Sequence, residues 1–392
     1  MKLVINTLSS RQGGGQVYIS NILRFVKNYP DIKTYVLSDP ELAGLYDHPD
    51  VEIICCKEPA KNALKRMLWE RKSLPTMLEK LETDLVFCPG GTINFTPPRG
   101  CKTAVTFQNM LIFDKNNRRK YRPGYIRFRL AMLERLSKKS FRKADLLILL
   151  TEHAKQVVDT QVPQRKGVCA VIPHGLDDKF RTAGRTDIPR YKGLPDGQYL
   201  LYTSVVAIFK AHLEVVRAYH ILTQKRDTEE KLYFVGPSYK SYEKLVRNEI
   251  KRLNLQNRVF IIEQIPHCEM PSVYHHAKAH IFASTCENCP NIVIESLGSG
   301  RPVFLSNIQP MPEIAQNDGI YFNPYNPQAL AELLAQYLDN EPLMNQMGRR
   351  AFEQSKNFNW EKTANQTFKA FENLFAERKK SAPRAEKELI SV

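Results

Sequence analysis

Short apolar runs alternate along the chain with longer stretches whose apolar residues recur every three or four positions. Residues 2–8 (KLVINTL), 33–37, 51–56, 84–88, 103–107, 146–150 and 168–172 each hold a few apolar residues bounded by polar ones, the pattern of a buried strand. Between them, residues 17–26, 61–81 and 125–142 carry a helical period. A stretch rich in Gly, Pro and charge follows (RTAGRTDIPRYKGLPDGQ, residues 181–198), and then the alternation restarts at 199–203 and runs on through 232–235, 259–262 and 279–284. Residues 303–306 and 319–322 predict edge strands, and three helical stretches close the fold, the last over 360–375. Such alternation predicts an α/β protein with parallel sheets and helices on both faces. A chain of 392 residues exceeds one ordinary core and suits two domains, placed at 1–177 and 195–359. From residue 377 the sequence is charged, contains Pro and has little apolar content, which predicts a disordered tail over 377–392.

Composition confirms a globular class, with 43% hydrophobic and 25% charged residues. No apolar run approaches the ~18–20 residues that a membrane helix needs. The N-terminal MKLVINTLSS reads as a first strand and not as a signal peptide, so a cytoplasmic protein is expected. Eight cysteines are scattered, several inside strand-like runs where a thiol acts as a small apolar group. Cys286 and Cys289 form one C-x-x-C, but zinc would want a second pair or suitably spaced histidines, and only His267–Cys268 offers itself, so no metal site is assigned.

The charge changes the picture more. It is +16 overall, and residues 115–143 hold twelve Lys or Arg against one acid, Glu134. Tyr121, Tyr125, Ile126, Phe128, Leu130 and Met132 interleave with them. A basic helix with an apolar face predicts contact with an anionic membrane surface, through Arg118, Arg119, Lys120 and Arg127. The alternative is an ordinary amphipathic helix packed on a sheet, its basic face in water. No nucleic-acid recognition module accompanies the charge, so no nucleic-acid partner is expected.

The richest chemistry lies in residues 286–300, CENCPNIVIESLGSG, after the strand-like AHIFAS at 279–284. Pro290 suits a first helical turn, which places Glu287 in the loop ahead of a helix and Glu295 inside it. The helix N-terminus at Asn291 and Ile292 offers N–H groups and partial positive charge to a phosphate. Carboxylates on both sides would accept hydroxyls, and a nucleotide-sugar has that shape. A purely structural pair of glutamates is the alternative. Gly13, Gly14 and Gly15 form a turn between the first strand and a helix, where backbone can approach phosphate, although the G-x-G-x-x-G fingerprint is absent and a simple flexible turn remains open. Gln108 stands at the carboxyl end of a predicted strand, the edge where open α/β sheets bind ligands. Lys210 opens an amphipathic helix, a position that the helix dipole disfavours.

ENCPNIVIE followed by SLGSGRPVFLS resembles the E-x7-E signature of the retaining glycosyltransferases of the GT-B fold, glycosyltransferase family 4 (glycosyl transferases group 1). The glycine turn, VIPHGLD (171–177), the Ser204–Lys210 segment, Gly236–Pro237 and MPEI (311–314) follow in the family's order, so the resemblance spans Gly13 to Trp360. It implies two Rossmann-like domains facing a cleft, with a last helix (360–376) crossing back to the first domain on Trp360. It implies Glu287 and Lys210 as the catalytic pair, Glu287 on the donor sugar and Lys210 on the diphosphate. Gly13, Gly14, Gly15, Ser204, Asn291, Ile292 and Glu295 would bind the nucleotide-sugar, Glu295 through the ribose. Ser204 stands where the family usually has arginine, and His174 where asparagine is common. Gln108 stands where a histidine is frequent; an amide binds hydroxyls but cannot act as a base, and with Asp114 it is the acceptor-side candidate. The implied reaction moves a sugar with retention from a nucleoside-diphosphate sugar to a glycan or glycolipid hydroxyl, on a lipid-linked intermediate at the inner membrane face. No cofactor and no metal are expected. A GT-B nucleotide-sugar epimerase and a non-enzymatic polyanion-binding protein are the rival readings.

Overall fold

The computed structural model describes residues 1–10, 13–60, 62–194 and 197–381. Lys61, the boundary placed at 195 and residues 382–392 of the expected tail lie outside that set. Among the described residues, thirteen strands form two wholly parallel sheets. The first holds β1 (Lys2–Asn6), β2 (Lys33–Ser38), β3 (Val51–Cys55), β4 (Leu85–Cys88), β5 (Lys102–Thr106), β6 (Leu146–Leu149) and β7 (Val168–Val171), in the order β3-β2-β1-β4-β5-β6-β7. The second holds β8 (Tyr199–Thr203), β9 (Lys231–Val235), β10 (Val259–Ile262), β11 (Ala279–Phe282), β12 (Val303–Ser306) and β13 (Ile320–Phe322), in the order β10-β9-β8-β11-β12-β13. Both are doubly wound α/β sheets, and each reverses its winding once: between β1 and β4 in the first, between β8 and β11 in the second. The crevice outside such a reversal is where these sheets take ligands.

Period-two alternation sorts the first sheet's side chains onto two faces. Val4, Val86, Val105 and Leu147 pack in one core cluster, whereas Leu3, Ile5, Leu85, Phe87, Ala104 and Ile148 pack in another. The long helix Trp360–Ser381 leaves the second domain and covers this second face, burying Trp360, Ala364, Phe368 and Phe371 among those residues. Tyr18 and Thr367 hydroxyls meet at 3.0 Å, and the Tyr29 hydroxyl donates to Asn365 at 2.9 Å.

Three elements differ from the sequence reading. The helical stretch expected over 61–81 divides into Ala63–Lys72 and Leu74–Lys80, because Pro75 suits the first turn of a helix and not the interior of one. β12 is internal, flanked by β11 and by the true edge strand β13. The last helix continues to Ser381, past residue 377 where the tail was placed.

Candidate active site

In the second domain, the loops after β8 and β11 meet at the reversal. The β8 loop forms a short turn, Ile208–Lys210, and Ala211 then takes a left-handed conformation (φ 53°) that swings the chain into the helix His212–Lys225. Lys210 therefore precedes that helix and does not lie in it. The Tyr202 hydroxyl donates to Lys210 O at 2.6 Å, and the Phe209 carbonyl accepts from Thr285 N at 2.8 Å and from Thr285 Oγ1 at 2.9 Å. These bonds tie the two loops together and bring Lys210 Nζ onto Glu287 Oε1. The Ser284 hydroxyl donates to the same carboxylate oxygen. The pair is mostly withdrawn from water, with side chains 7% and 13% exposed, and the ammonium lies 4.8 Å from the Phe282 ring centre.

Four residues on, the helix Asn291–Gly298 begins, with Pro290 at its N-cap. Its first intrahelical bond is Val293 N to Pro290 O, so the Asn291 and Ile292 N–H groups precede the ladder. Asn291 Oδ1 lies 2.6 Å from His174 Nδ1. Burial pushes the His174 imidazole down to about 4, so the ring is neutral at pH 7 and Nδ1–H donates to the amide oxygen. The ring forms a three-membered aromatic cluster with Tyr18 (5.5 Å) and Trp360 (5.6 Å), which also meet each other at 6.3 Å, and its Nε2 is buried without a described partner. A Cβ on Gly14 would lie 3.8 Å from His174 Cε1. One imidazole thus separates the glycine turn of the first domain from the helix start of the second. Two helix N-termini, Gly14–Leu23 and Asn291–Gly298, approach from opposite domains. Gly13 has φ 71°, and a Cβ on Gly15 would stand 3.2 Å from Gln108 Oε1, so this turn needs glycine for conformation and for close approach. Gln108 borders the same space, its Nε2 buried without a described partner.

Glu295 lies within the helix, accepting from the Tyr274 hydroxyl at 3.0 Å. Its carboxyl is raised to about 7, mainly by desolvation, with Tyr274 and Lys179 pulling the other way. Lys179 Nζ lies 2.9 Å from His267 Nδ1, and His267 packs edge-on against Phe180.

The loop between the two glutamates also seams the domains together. Asn288 Nδ2 donates to Phe107 O at 2.6 Å, Thr151 Oγ1 donates to Asn288 O at 3.2 Å, and Glu313 caps the helix Glu152–Gln161 by accepting from Glu152 N and His153 N at 2.7 and 2.9 Å. Cys286 is buried in the first domain's core cluster, and burial pushes the thiols of Cys286 and Cys289 upward. Both therefore behave as small apolar groups. Among the described residues, no group of three His, Cys, Asp or Glu side chains gathers as a metal site.

Three sequence assignments are corrected here. Ser204 is buried and its hydroxyl is spent on His212 Nε2 (3.1 Å), whose ring stacks on Tyr202 and is held neutral by burial; Ser204 braces the β8 loop from within. Asp114 uses both carboxylate oxygens on Asn117, at 2.8 and 2.6 Å, capping the helix Lys115–Arg119, while Asn117 in turn holds Thr285. Its role is to brace the seam. Arg118 is only 17% exposed and donates to Glu134 (2.5 Å) and Ile112 O (2.9 Å), so it is a structural cation. Glu134, the lone acid of the basic run, is clamped between Arg118 and Lys138. Arg119 and Lys120 are exposed, Lys120 lying 4.9 Å from the Tyr325 ring centre, and Arg127 is half-buried. The helix Tyr125–Lys143 turns Tyr125 (77% exposed), Phe128 (67%), Ile126 and Met132 to solvent. No helix among the described residues is long and apolar enough to cross a membrane.

Two doubly wound domains, joined over glycine-turn and E-x7-E elements and strapped by a returning C-terminal helix, define the GT-B class. The family model described as glycosyl transferases group 1 matches residues 185–354, most of the second domain. Among curated proteins, O-antigen chain mannosyltransferase B of Escherichia coli is 24% identical over 177 residues, 45% of this chain and 46% of that protein. D-inositol 3-phosphate glycosyltransferase of Corynebacterium glutamicum is 25% identical over 249 residues, 59% of this chain and 58% of that protein. The matched stretches span about half the length of these curated relatives. Among solved structures, sucrose-phosphate synthase of Thermosynechococcus elongatus superposes with a TM-score of 0.77 at 17% identity, covering 96% of this chain and all of that one. HepE of Anabaena, solved with UDP-glucose, gives 0.69 at 17% identity over 95% of this chain and all of that one. These likenesses show the shared fold.

His174, Asn288, Asn117, Tyr274 and the Phe209 carbonyl were not picked out as site residues from the sequence. The VIPHGLD segment was the one available signal for His174, and it reads equally well as a linker turn.

Proposed function

We propose that this protein is a retaining, metal-independent glycosyltransferase that moves a sugar from a nucleoside-diphosphate sugar to a hydroxyl of a lipid-linked glycan in cell-surface polysaccharide synthesis. The reading rests above all on one juxtaposition: Glu287, paired with Lys210, lies four residues ahead of the Asn291–Gly298 helix, whose Asn291 reaches the Gly14 turn of the first domain through His174. Breaking the anomeric C–O bond leaves cationic character on the sugar and gathers negative charge on the departing diphosphate. Fixed donors aimed at that charge contribute most to such a reaction. Lys210 supplies an ammonium, and the two helix starts supply backbone N–H groups and the positive ends of their dipoles. These groups neutralise the leaving group without a divalent ion. Glu287 accepts donor-sugar hydroxyls, and Glu295 accepts the ribose hydroxyls. Gln108, at the end of β5, faces the acceptor side as a neutral hydrogen-bonding group. Attack from the same face as the departing diphosphate gives retention with no protein nucleophile: the acceptor oxygen bonds to the anomeric carbon, the C–O bond to the diphosphate breaks, and the hydroxyl proton passes to the departing phosphate oxygen.

The acceptor sits at an anionic membrane on the cytoplasmic side. The solvent-facing Tyr125, Ile126, Phe128 and Met132, with Arg119 and Lys120 nearby and Lys120 against the second domain's Tyr325, form an aromatic and basic rim beside the cleft. Such a surface inserts apolar side chains at the headgroup level while its cations attract anionic lipid. The O-antigen mannosyltransferase among the relatives supports a role in polysaccharide assembly.

A thermal-shift panel of UDP, GDP, dTDP and ADP tests the donor assignment, followed by product analysis with the matching nucleotide-sugar, with and without EDTA. Stabilisation by one nucleotide and EDTA-resistant transfer to an acceptor are expected. A changed donor sugar without transfer would identify an epimerase, and indifference to every nucleotide would favour a polyanion-binding protein.

A further inference from the structure

A cavity of about 510 Å³ opens at the C-terminal end of the Asn291–Gly298 helix, the end remote from Glu287. Its wall includes Arg185, His275, Ser299, Arg301, Arg349 and Glu353. The charges there are unbalanced. Arg301 is half-buried and gives its Nε–H to His275 O at 2.7 Å, but no described carboxylate pairs with its guanidinium, and desolvation holds its pKa below the usual value. Arg349 is exposed and likewise has no described carboxylate partner, whereas its neighbour Arg350 is paired with Asp318 at 2.8 Å. Arg185 is bound by Asp187 through two bonds, at 3.0 and 2.6 Å. The single acid on the wall, Glu353, has both oxygens on Lys356 at 2.7 Å. His275 Nδ1 is buried and without a described partner.

We propose that this cavity binds a phosphorylated small molecule, its phosphate held by the guanidinium groups of Arg301 and Arg349. A half-buried cation without a counter-charge is costly, and the group that relieves that cost is an anion. Guanidinium forks match phosphate oxygens two at a time, and two such forks suit a dianionic monoester. The volume exceeds what a bare phosphate fills and falls in the range of ordinary small-molecule sites, ~300–1,000 Å³. The remaining space, bordered by His275, Ser299 and Asn345, takes the hydroxyl-bearing part of the ligand.

Isothermal titration of the full chain with inorganic phosphate and with a hexose 6-phosphate tests the proposal. The titrations are run at constant ionic strength, with and without a saturating nucleoside diphosphate. Saturable binding that persists in the presence of the nucleotide is expected. Loss of one charge-assisted contact in Arg349→Ala, and separately in Arg301→Gln, weakens it about tenfold. Arg349→Ala alters an exposed side chain, so the test stands even where Arg301→Gln perturbs folding. Absence of saturable binding, its complete loss when the nucleotide is added, or wild-type affinity in Arg349→Ala would overturn the proposal. None of these outcomes depends on whether the chain transfers a sugar.

Discussion

Replacing Lys210 with Met removes a buried ammonium and keeps most of its stem. Glu287 then keeps its burial, 13% exposed, and retains the Ser284 hydroxyl but loses its counter-charge. Breaking a buried ion pair from one side costs about 3–5 kcal/mol. For a domain of this size each kcal/mol moves the melting temperature by ~2–4 °C, so Lys210→Met is expected to melt roughly 6–20 °C lower. The double variant Lys210→Met/Glu287→Gln leaves no charge in the pocket, and its stability should return most of the way to wild type, because replacing both members of a buried pair is close to neutral. Activity should behave differently. If the ammonium neutralises the departing diphosphate, turnover falls by about two to three orders of magnitude in the single variant and stays low in the double one. Scanning calorimetry combined with donor turnover, measured well below either melting point, separates the two effects. A double variant that regains activity along with stability would refute a catalytic role for the ammonium. A single variant melting at the wild-type temperature would refute the buried pair itself.

Glu295 titrates near neutrality, raised from 4.5 to about 7 by desolvation. Accepting ribose hydroxyls requires the carboxylate, so nucleotide affinity should weaken as pH falls from 8 to 6, and Glu295→Gln should flatten that dependence in a binding titration. The same shift has a stability consequence of opposite sense: a carboxyl with a higher pKa folded than unfolded binds more protons in the folded state, so stability falls as pH rises from about 4.5 through 7, by at most ~3 kcal/mol. Glu295→Gln should remove this slope from a melting-temperature profile, and an unaltered slope would place the titrating group elsewhere. Asn288→Ala removes the amide that bridges to Phe107 O and should cost ~1–3 kcal/mol, seen as an earlier or split calorimetric transition as the domains uncouple. Tyr125→Ser/Phe128→Ser should loosen binding to anionic vesicles without lowering the melting temperature, whereas Arg118→Gln, which strips a partner from half-buried Glu134, should lower the melting temperature. Equal vesicle binding by wild type and the aromatic variant would remove that face from the membrane contact.

Strands that are buried on both faces need unbroken apolar runs, and helices laid on a sheet need a repeating apolar stripe. For that reason the β–α alternation, the parallel sheets and the order of the motifs were legible from residue identity alone. So was the strand–loop–helix unit around Glu287, since Pro290 and the glycines after Glu295 mark its ends locally. The family resemblance put Lys210 and Glu287 in one site, but their direct ion pair, 77 residues apart in sequence, was not legible, because it follows from the winding reversal between β8 and β11. The same holds for His174, which joins the Gly14 turn to Asn291 only once the last helix has brought Trp360 back against the first domain. Ser204, Asp114 and Arg118 show the converse. Each looks free along the chain, and each is consumed by a neighbour that arrives through packing: His212 from the following turn, Asn117 bridging to Thr285, and Glu134 from the adjacent helix. Local periodicity reports which way a side chain faces, and it carries no information about which groups will share its burial; that partnership is settled when loops and helices pack within each domain and, for Asn117 with Thr285 and His174 with Asn291, when the domains meet and exclude water.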